Sequence, residues 1–412
     1  MRVEGRVFSA TTRMRQVRPA TSLLAARAAR DIGDGFVAVL LPAYLLALGF
    51  SPLQVGVLAT VSLLGSALVT VWIGFLGARH PYRRLLLAAA ALMVATGAAL
   101  AAVHDYALLL LVAFAGTINP TAGSVSVFVP LEHAALTRET AAAGRTAMFA
   151  RYSLVGALAS AVGALAAAAP DFAALFGVGK VAAIKLMFVV YALLGVIGAL
   201  FYARLPQRPA AAASSDGAPL GRSRGIVLKL AALFSLDSFA GGFVVQSLLA
   251  LWLFERFDFS LSAAGVFFFW SGVLSAFSFP VAAWLSRRIG LVNTMVFTHI
   301  PASVALMLAA LAPSLHAALA LLLVRAALSQ MDVPARSSYV MAVVSEAERT
   351  AAASLTSVPR SLAAAASPAL AGALFAASYR AWPLLICGAL KIAYDVLLLV
   401  QFRHVKPPEE ET

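Results

Sequence analysis

Long apolar stretches alternate with short polar segments along nearly the whole chain, and this pattern predicts transmembrane helices. An apolar run of about 20 residues is long enough to cross a bilayer as a helix. The pattern predicts twelve such spans. Their approximate limits are 23–49, 53–77, 85–103, 106–131, 144–169, 184–203, 229–254, 262–285, 291–312, 316–344, 353–378 and 382–402.

The fold class follows from the lipid surroundings of these segments. A strand with an open edge would leave its backbone groups unpaired inside a bilayer, so each span is predicted to be a helix. The expected fold is an all-α membrane protein with twelve transmembrane helices in two pseudo-symmetric six-helix bundles. The predicted domains are an N-tail (1–22), a first bundle (23–203), a linker (204–228), a second bundle (229–402) and a C-tail (403–412).

The composition supports this assignment. Hydrophobic residues make up 62% of the 412 residues and charged residues only 12%, which is about half of their share in an average soluble domain. Because the chain has one cysteine, Cys387, no disulfide framework and no structural metal site is expected, and no cofactor is predicted. The first twenty residues lack the apolar core of a secretory signal and are predicted to be a cytoplasmic tail.

The placement of the basic residues predicts the orientation. Of the 31 Lys and Arg residues, 20 lie in segments that face the cytoplasm if the N-terminus is inside, and 4 lie in the opposite loops. This bias follows the positive-inside rule. Both termini are therefore predicted to be cytoplasmic, with the chain in the inner membrane of a bacterium. The net charge of +13 is then a topology signal, and no nucleic-acid partner is expected.

The two halves of the chain resemble each other at a nearly constant offset. Arg151, with Gly163 twelve residues later, corresponds to Arg360, with Gly372 twelve residues later. Residues 204–228, between the halves, are rich in Pro, Gly, Ser and Ala and are predicted to be a flexible linker. Two parallel repeats joined in this way are typical of transporters whose bundles rock around a site near the bilayer midplane.

A motif in the loop after the second span supports a family resemblance. It consists of Gly74 followed by the basic residues Arg79, Arg83 and Arg84. The chain resembles the major facilitator superfamily over nearly its whole length. The resemblance rests on this motif and on the predicted topology, the linker and the repeat. Ala78 replaces the acidic residue of the motif, so the latch that this residue forms in the superfamily is not expected here. The resemblance implies that spans 1, 4, 7 and 10 line the substrate cavity.

Polar residues inside the spans are the candidate contacts for substrate and ions. A charge at the bilayer centre costs roughly 2.5–3.5 kcal/mol, so these residues are expected to face the bundle interior, water or each other. In spans 1 and 10 they recur on one helix face. The cavity candidates are Asp34, Asn119, Thr121, Asp237, Arg325 and Asp332. The alternative is that the charges are structural ion pairs within each bundle.

Two buried ion pairs are predicted from depth. Counted from the cytoplasmic ends of spans 1 and 5 at 1.5 Å per residue, Asp31 and Arg151 lie at nearly equal depth. Asp237 and Arg360 repeat this arrangement in spans 7 and 11. The predicted pairs are therefore Asp31–Arg151 and Asp237–Arg360, with contacts from the arginines to substrate or backbone carbonyls as the alternative.

Two further expectations concern single helices. Lys391 and Asp395, four residues apart in span 12, are predicted to pair with each other. Asp34 lies deeper in span 1 than Asp31, and Asp31 directly follows Arg30. Asp34 is therefore the predicted proton carrier if transport is coupled to protons.

Secondary transport is the function class that the sequence favours. The chain has no P-loop motif, so ATP hydrolysis is not predicted to drive it. The lead hypothesis is proton-coupled export of a small organic or hydrophobic compound by a functional monomer, and the runner-up is uptake of a small organic anion or another metabolite. An intramembrane enzyme is not expected, since Asp31 and Asp34 lack a second acidic cluster. A non-transporting receptor or scaffold is the alternative of another class.

Overall fold

The computed structural model describes residues 19–77, 80–121, 126–139, 145–207, 221, 223–345 and 348–403. In this part of the chain there are sixteen α-helices and no β-strand, which confirms the predicted all-α class. The helices are α1 (Pro19–Ala47), α2 (Pro52–Gly77), α3 (Tyr82–Ala102), α4 (Tyr106–Ala115), α5 (Phe128–Glu139), α6 (Arg145–Ala166), α7 (Ala169–Ala174), α8 (Lys180–Ala203), α9 (Arg224–Gly242), α10 (Gln246–Phe257), α11 (Leu261–Ile289), α12 (Leu291–Leu311), α13 (Leu315–Leu328), α14 (Asp332–Ala342), α15 (Arg349–Ala376) and α16 (Trp382–Phe402).

Most of these helices suit a lipid bilayer. Among the described residues, nine helical segments are long and apolar enough to cross a membrane, and some of them join two consecutive helices, as α9 and α10 do in Arg224–Phe257. α1 has 29 residues but is not one of the nine, because four charged residues lie along it. α4 has only 10 residues, which is too short for a span by itself.

Three of the predicted spans are interrupted where the sequence suggested continuous helices. α4 ends at Ala115 and α5 begins at Phe128, after a segment that contains Asn119-Pro120. α9 ends at the second residue of the pair Gly241-Gly242, and three residues separate it from α10. α13 and α14 are separated at 329–331. Backbone without regular hydrogen bonds is tolerated at membrane depth only where protein or water covers it, so these breaks mark interior faces.

Glycines allow the helices within each half to cross at close range. Gly35 of α1 packs on the backbone carbonyl of Ser160 in α6, and Gly163 of α6 packs on the carbonyl of Ile32 in α1. Neither position has room for a Cβ atom. In the second half Gly242 of α9 packs in the same way on the carbonyl of Ala364 in α15. Small residues at such crossings are the usual means of helix association in membranes.

The two halves contact each other mainly at one end of the molecule. α2 packs on α15, and α6 packs on α11. A Cβ atom on Gly56 of α2 would lie 2.5 Å from the carbonyl oxygen of Pro368 in α15. Asp171, in α7, accepts hydrogen bonds from the backbone NH (2.7 Å) and the hydroxyl (2.8 Å) of Ser262 in α11. These contacts lie near the first residues of α2 and α11 and in the second half of α15. The two halves therefore touch at the end of the molecule that contains residues 50 and 260.

Candidate functional site

The first half contains a buried group of charges that we call the first-half cluster. Its members are Arg27, Arg30, Asp31 and Asp34 of α1 and Glu132 of α5. Arg30 is central: its Nη1 lies 2.9 Å from Asp31 Oδ1 and 3.3 Å from Asp34 Oδ2, and its Nη2 lies 3.2 Å from Glu132 Oε2. Arg27 Nε lies 2.6 Å from Asp31 Oδ2, as an ion pair rather than an aligned hydrogen bond.

Three tyrosines complete this cluster. Tyr152 and Tyr202 donate hydrogen bonds to the two oxygens of Glu132, at 2.5 Å and 2.6 Å. Tyr191 donates a hydrogen bond to Asp34 at 3.4 Å, and its hydroxyl lies 2.9 Å from the hydroxyl of Thr117, two residues after the end of α4. Neutral donors of this kind stabilise a buried carboxylate without adding charge.

The second half contains an equivalent group, the second-half cluster. Its members are Asp237 of α9, His299 of α12, Asp332 and Arg336 of α14, and Lys391 and Asp395 of α16. Arg336 joins Asp237 (3.0 Å) to Asp332 (3.1 Å), and Lys391 Nζ lies 2.5 Å from Asp237. His299 Nδ1 lies 3.1 Å from Asp395, and its Nε2 lies 3.2 Å from Lys391 Nζ. His299 and Lys391 thus connect Asp395 to Asp237 through consecutive polar contacts.

The predicted pairs Asp31–Arg151 and Asp237–Arg360 are wrong. Asp31 pairs with arginines of its own helix, and Asp237 pairs with Arg336 and Lys391. Arg151 is exposed because the next residue, Tyr152, occupies the face of α6 toward α1, about 100° away around the helix.

The predicted pairing within α16 is wrong as well. Lys391 reaches Asp237 on α9, and Asp395 reaches His299 on α12. The two side chains therefore serve different neighbouring helices, although they lie one turn apart on α16.

Comparison with known proteins identifies the family. The sequence model of the Major Facilitator Superfamily matches residues 23–329 and 233–412. The chain belongs to this superfamily. It is therefore a multi-pass membrane transporter rather than an enzyme. An uncharacterised membrane protein of Saccharomyces cerevisiae, YJR124C, is 22% identical over 416 residues, which cover 91% of this chain and 92% of that protein.

Solved superfamily structures share the fold. A bacterial homolog of the human lysosomal transporter Spinster, inward-facing and unoccupied, matches with a TM-score of 0.68 at 14% identity, over 95% of this chain and 96% of that one. The nucleoside transporter NupG matches with 0.71 at 13% identity, over 94% and 100%. The human organic anion transporter MFSD10 matches with 0.62 at 17% identity, over 93% and 99%. At these identities the similarity concerns the fold alone.

The predicted cavity residues lie in four different places in the structure. Asp34 belongs to the first-half cluster, whereas Asp237 and Asp332 share Arg336 in the second-half cluster. Asn119 and Thr121 lie at the break after α4, where Asn119 Oδ1 accepts hydrogen bonds from the backbone NH (2.9 Å) and the hydroxyl (2.6 Å) of Thr121. Arg325 lies on α13, outside both clusters.

The superfamily loop motif is only partly described. Gly74 lies near the end of α2, and Arg83 and Arg84 lie in the first turn of α3. Arg79 lies outside the described residues. Arg83, partly buried, lines a small cavity at this end of the first half together with Tyr82, whose ring lies below the guanidinium of Arg138 at 4.7 Å.

Several members of the two clusters escaped sequence reasoning. Glu132 was missed because span 4 was predicted to end at 131, and Tyr152 and Tyr202 were missed because aromatic residues are common in apolar helices. The signal for Glu132 is the helical continuation Leu131-Glu132-His133 after the Asn119-Pro120 break. An acid so close to the predicted end of a span suggests a buried partner.

Proposed function

We propose that the chain is a secondary transporter with twelve spans and both termini in the cytoplasm. The sixteen helices combine into twelve spans if the three interrupted spans each count once, as α4 with α5, α9 with α10 and α13 with α14, and the short helix α7 is counted with α6. This grouping supports two six-helix bundles, at 23–203 and 229–402. The 20-to-4 distribution of basic residues supports the orientation.

The contacts between the halves support an inward-facing state. With cytoplasmic termini, the end closed by Gly56 and by Asp171–Ser262 is the outer one. The bacterial Spinster homolog, which shares this fold, has an inward-facing structure. Alternating access then requires these contacts to break as the cytoplasmic ends of the same helices approach each other.

Proton coupling is supported by the charge balance of the two clusters, which is the observation that carries the proposal. In each cluster three carboxylates face two permanent cations, Arg27 and Arg30 in one and Arg336 and Lys391 in the other. The first-half cluster is therefore one proton short of neutrality, and burying an uncompensated charge is costly. The ion-paired members of the second-half cluster have the same balance, with Arg360 as a nearby cation that makes no ion pair within the described part of the chain. Asp34 is the candidate carrier in the first half, because one of its two described partners is the neutral Tyr191. His299 is the candidate in the second half.

Reconstitution into proteoliposomes tests this function. Vesicles that contain the purified chain and a pH-sensitive dye are given a panel of small organic solutes, with the pH gradient imposed in either orientation. We expect one class of solute to cause a proton flux that empty vesicles lack, and the gradient that drives accumulation gives the direction of transport. Accumulation that ignores the pH gradient would reject proton coupling, and a chain that moves no solute under any gradient would favour a receptor or scaffold.

A further inference from the structure

Arg325 differs from the other buried charges of the second half. It is the eleventh residue of α13, about 15 Å along the helix from Leu315, which places it near the middle of a hydrocarbon core of about 30 Å. It shares the inward face of α13 with the buried residues Ala318 and Leu322, whereas Val324 on the opposite side is half exposed. Arg325 as a whole residue is nevertheless only partly buried, unlike Ala318 and Leu322 beside it.

A comparison of charges leaves Arg325 without an acid. The acids described inside the spans all have cation or hydrogen-bond partners. They are Asp31, Asp34, Glu132, Asp237, Asp332 and Asp395. Within the described residues the Arg325 side chain makes no ion pair. The thiol of Cys387 on α16 lies within its electrostatic reach. Arg360 also lacks an ion pair, but Asp237 and Asp332 lie within its electrostatic reach.

The surroundings of Arg325 suit an anion better than a further protein contact. Cys387 and Lys391 lie one turn apart on α16. The positive charges of Arg325 and Lys391 both lie within electrostatic reach of the Cys387 thiol. Asp237 also lies within electrostatic reach of this thiol, so two cations and one acid surround it. Lys391 already binds Asp237, which leaves Arg325 as the free donor. A planar guanidinium holds a carboxylate or a phosphate with two parallel hydrogen bonds, and this contact is strongest away from water.

We propose that Arg325 binds the anionic group of the transported solute, a carboxylate or a phosphate. This inference rests on the proposed transport function and specifies its substrate class. The competing role is structural: Arg325 lies in the last turn of α13, where the helix dipole favours a cation and where the break at 329–331 leaves carbonyl groups without helical partners. The two roles differ in what the loss of the guanidinium does to the protein without a ligand.

Ligand-dependent thermal stability of the purified full-length chain tests the proposal. The probes are benzoate, succinate and inorganic phosphate, each at constant ionic strength with chloride as the reference anion. We expect at least one probe to raise the Tm of the wild type in a saturable way, since a ligand that binds only the folded state stabilises it. Arg325→Gln should weaken the apparent affinity at least about tenfold, and Arg325→Lys should weaken it less. The Tm of Arg325→Gln without a probe should equal that of the wild type or exceed it.

Two controls identify the source of the effect. Arg288→Gln removes an exposed guanidinium that lies over Trp284 at 4.4 Å and should leave the probe response unchanged. Nanodiscs of phosphatidylcholine, with and without phosphatidylglycerol, separate a soluble anion from a lipid phosphate. A Tm increase that depends on Arg325 and appears only with phosphatidylglycerol would overturn the substrate assignment. So would the absence of any response to the three probes, or an unchanged response in Arg325→Gln.

This binding test is independent of the transport test. It needs no gradient and no sealed vesicle, so a chain that binds succinate through Arg325 but carries no solute would contradict the transport function and keep the anion site. A transporter whose solute flux is unchanged in Arg325→Gln would keep the function and reject the site.

Discussion

Arg30 of α1 and Asp237 of α9 occupy equivalent places in the two halves and carry opposite charges. Each lies five residues before a glycine that packs on a backbone carbonyl of the neighbouring helix, Gly35 on α6 and Gly242 on α15. Each also pairs with the opposite charge on the second helix of an interrupted span: Arg30 with Glu132 at 3.2 Å, and Asp237 with Arg336 at 3.0 Å. The repeat therefore conserves the position of an ion pair between the halves while reversing its polarity.

The first prediction concerns Arg30. Arg30→Gln leaves Asp31, Asp34 and Glu132 with Arg27 alone, and stranding buried charges costs about 3–5 kcal/mol of unfolding free energy. The double variant Arg30→Gln/Glu132→Gln should recover part of this loss, because one carboxylate has been removed. Denaturant unfolding in detergent measures both. Tyr202→Phe is the matched control and should cost less, about 1.5–3 kcal/mol for one hydrogen bond to a charged group. A double variant no more stable than Arg30→Gln would show that the pair is not coupled.

The second prediction concerns closure between the halves. Gly56→Leu places a side chain where even a Cβ atom would lie 2.5 Å from the Pro368 oxygen, so we expect it to separate α2 from α15. Labelling of Ala164→Cys in a Cys387→Ser background, with a membrane-impermeant maleimide added from outside, measures the opening, since Ala164 is buried where α6 meets α11. Its rate should rise in the leucine variant.

The control for this prediction is another glycine. Gly225, at the start of α9, has open space where a Cβ atom would lie, so Gly225→Leu should leave the labelling rate unchanged. Equal rates in the two leucine variants would mean that the Gly56 contact does not hold the halves closed.

The third prediction concerns Glu348, which precedes α15 outside the spans. Hydrogen bonds from the Ser345 hydroxyl (2.7 Å), the Gly221 NH (2.5 Å) and the Ser223 hydroxyl (2.8 Å) lower the pKa of Glu348 to about 2. Because the folded pKa lies below the unfolded value, these bonds should be complete above about pH 4.5 and be lost as the pH falls toward 2.

Hydrogen exchange measures this contact. The amide of Gly221 should be protected at neutral pH and should exchange faster in Glu348→Ala, whereas Glu348→Gln keeps an acceptor and should retain most of the protection. If the Gly221 amide exchanges equally fast in the wild type and in Glu348→Ala, the carboxylate does not anchor this end of the linker segment.

Sequence reasoning found the membrane helices but not the partners of their charges, and the physical reason is the rotation of each helix. Depth follows from counting residues, and it placed Asp31 and Arg151 at similar levels. A pair also needs the right face, and one residue turns a helix by about 100°, which puts Tyr152 rather than Arg151 against α1. Apolar runs in lipid carry a weak signal for rotation, because both the bundle and the bilayer favour the same side chains. The interruption at 243–245 was missed for a similar reason, since its residues are as apolar as the helices beside it.

The last prediction concerns Asp34 as a proton carrier. Asp34→Asn leaves Asp31 and Glu132 with Arg27 and Arg30, a cluster that is neutral without a proton, so the variant should fold at least as well as the wild type. It can no longer exchange a proton, so accumulation driven by a pH gradient should be lost, whereas counterflow of a preloaded solute, which needs no net proton movement, should persist. Both are measured in proteoliposomes, with Asp105→Asn as the control, since Asp105 is an exposed cap at the start of α4 and lies outside both clusters. If Asp34→Asn keeps its dependence on the gradient, the first-half cluster is structural, and the second-half chain of Asp237, His299 and Asp395 becomes the place to seek the coupling proton.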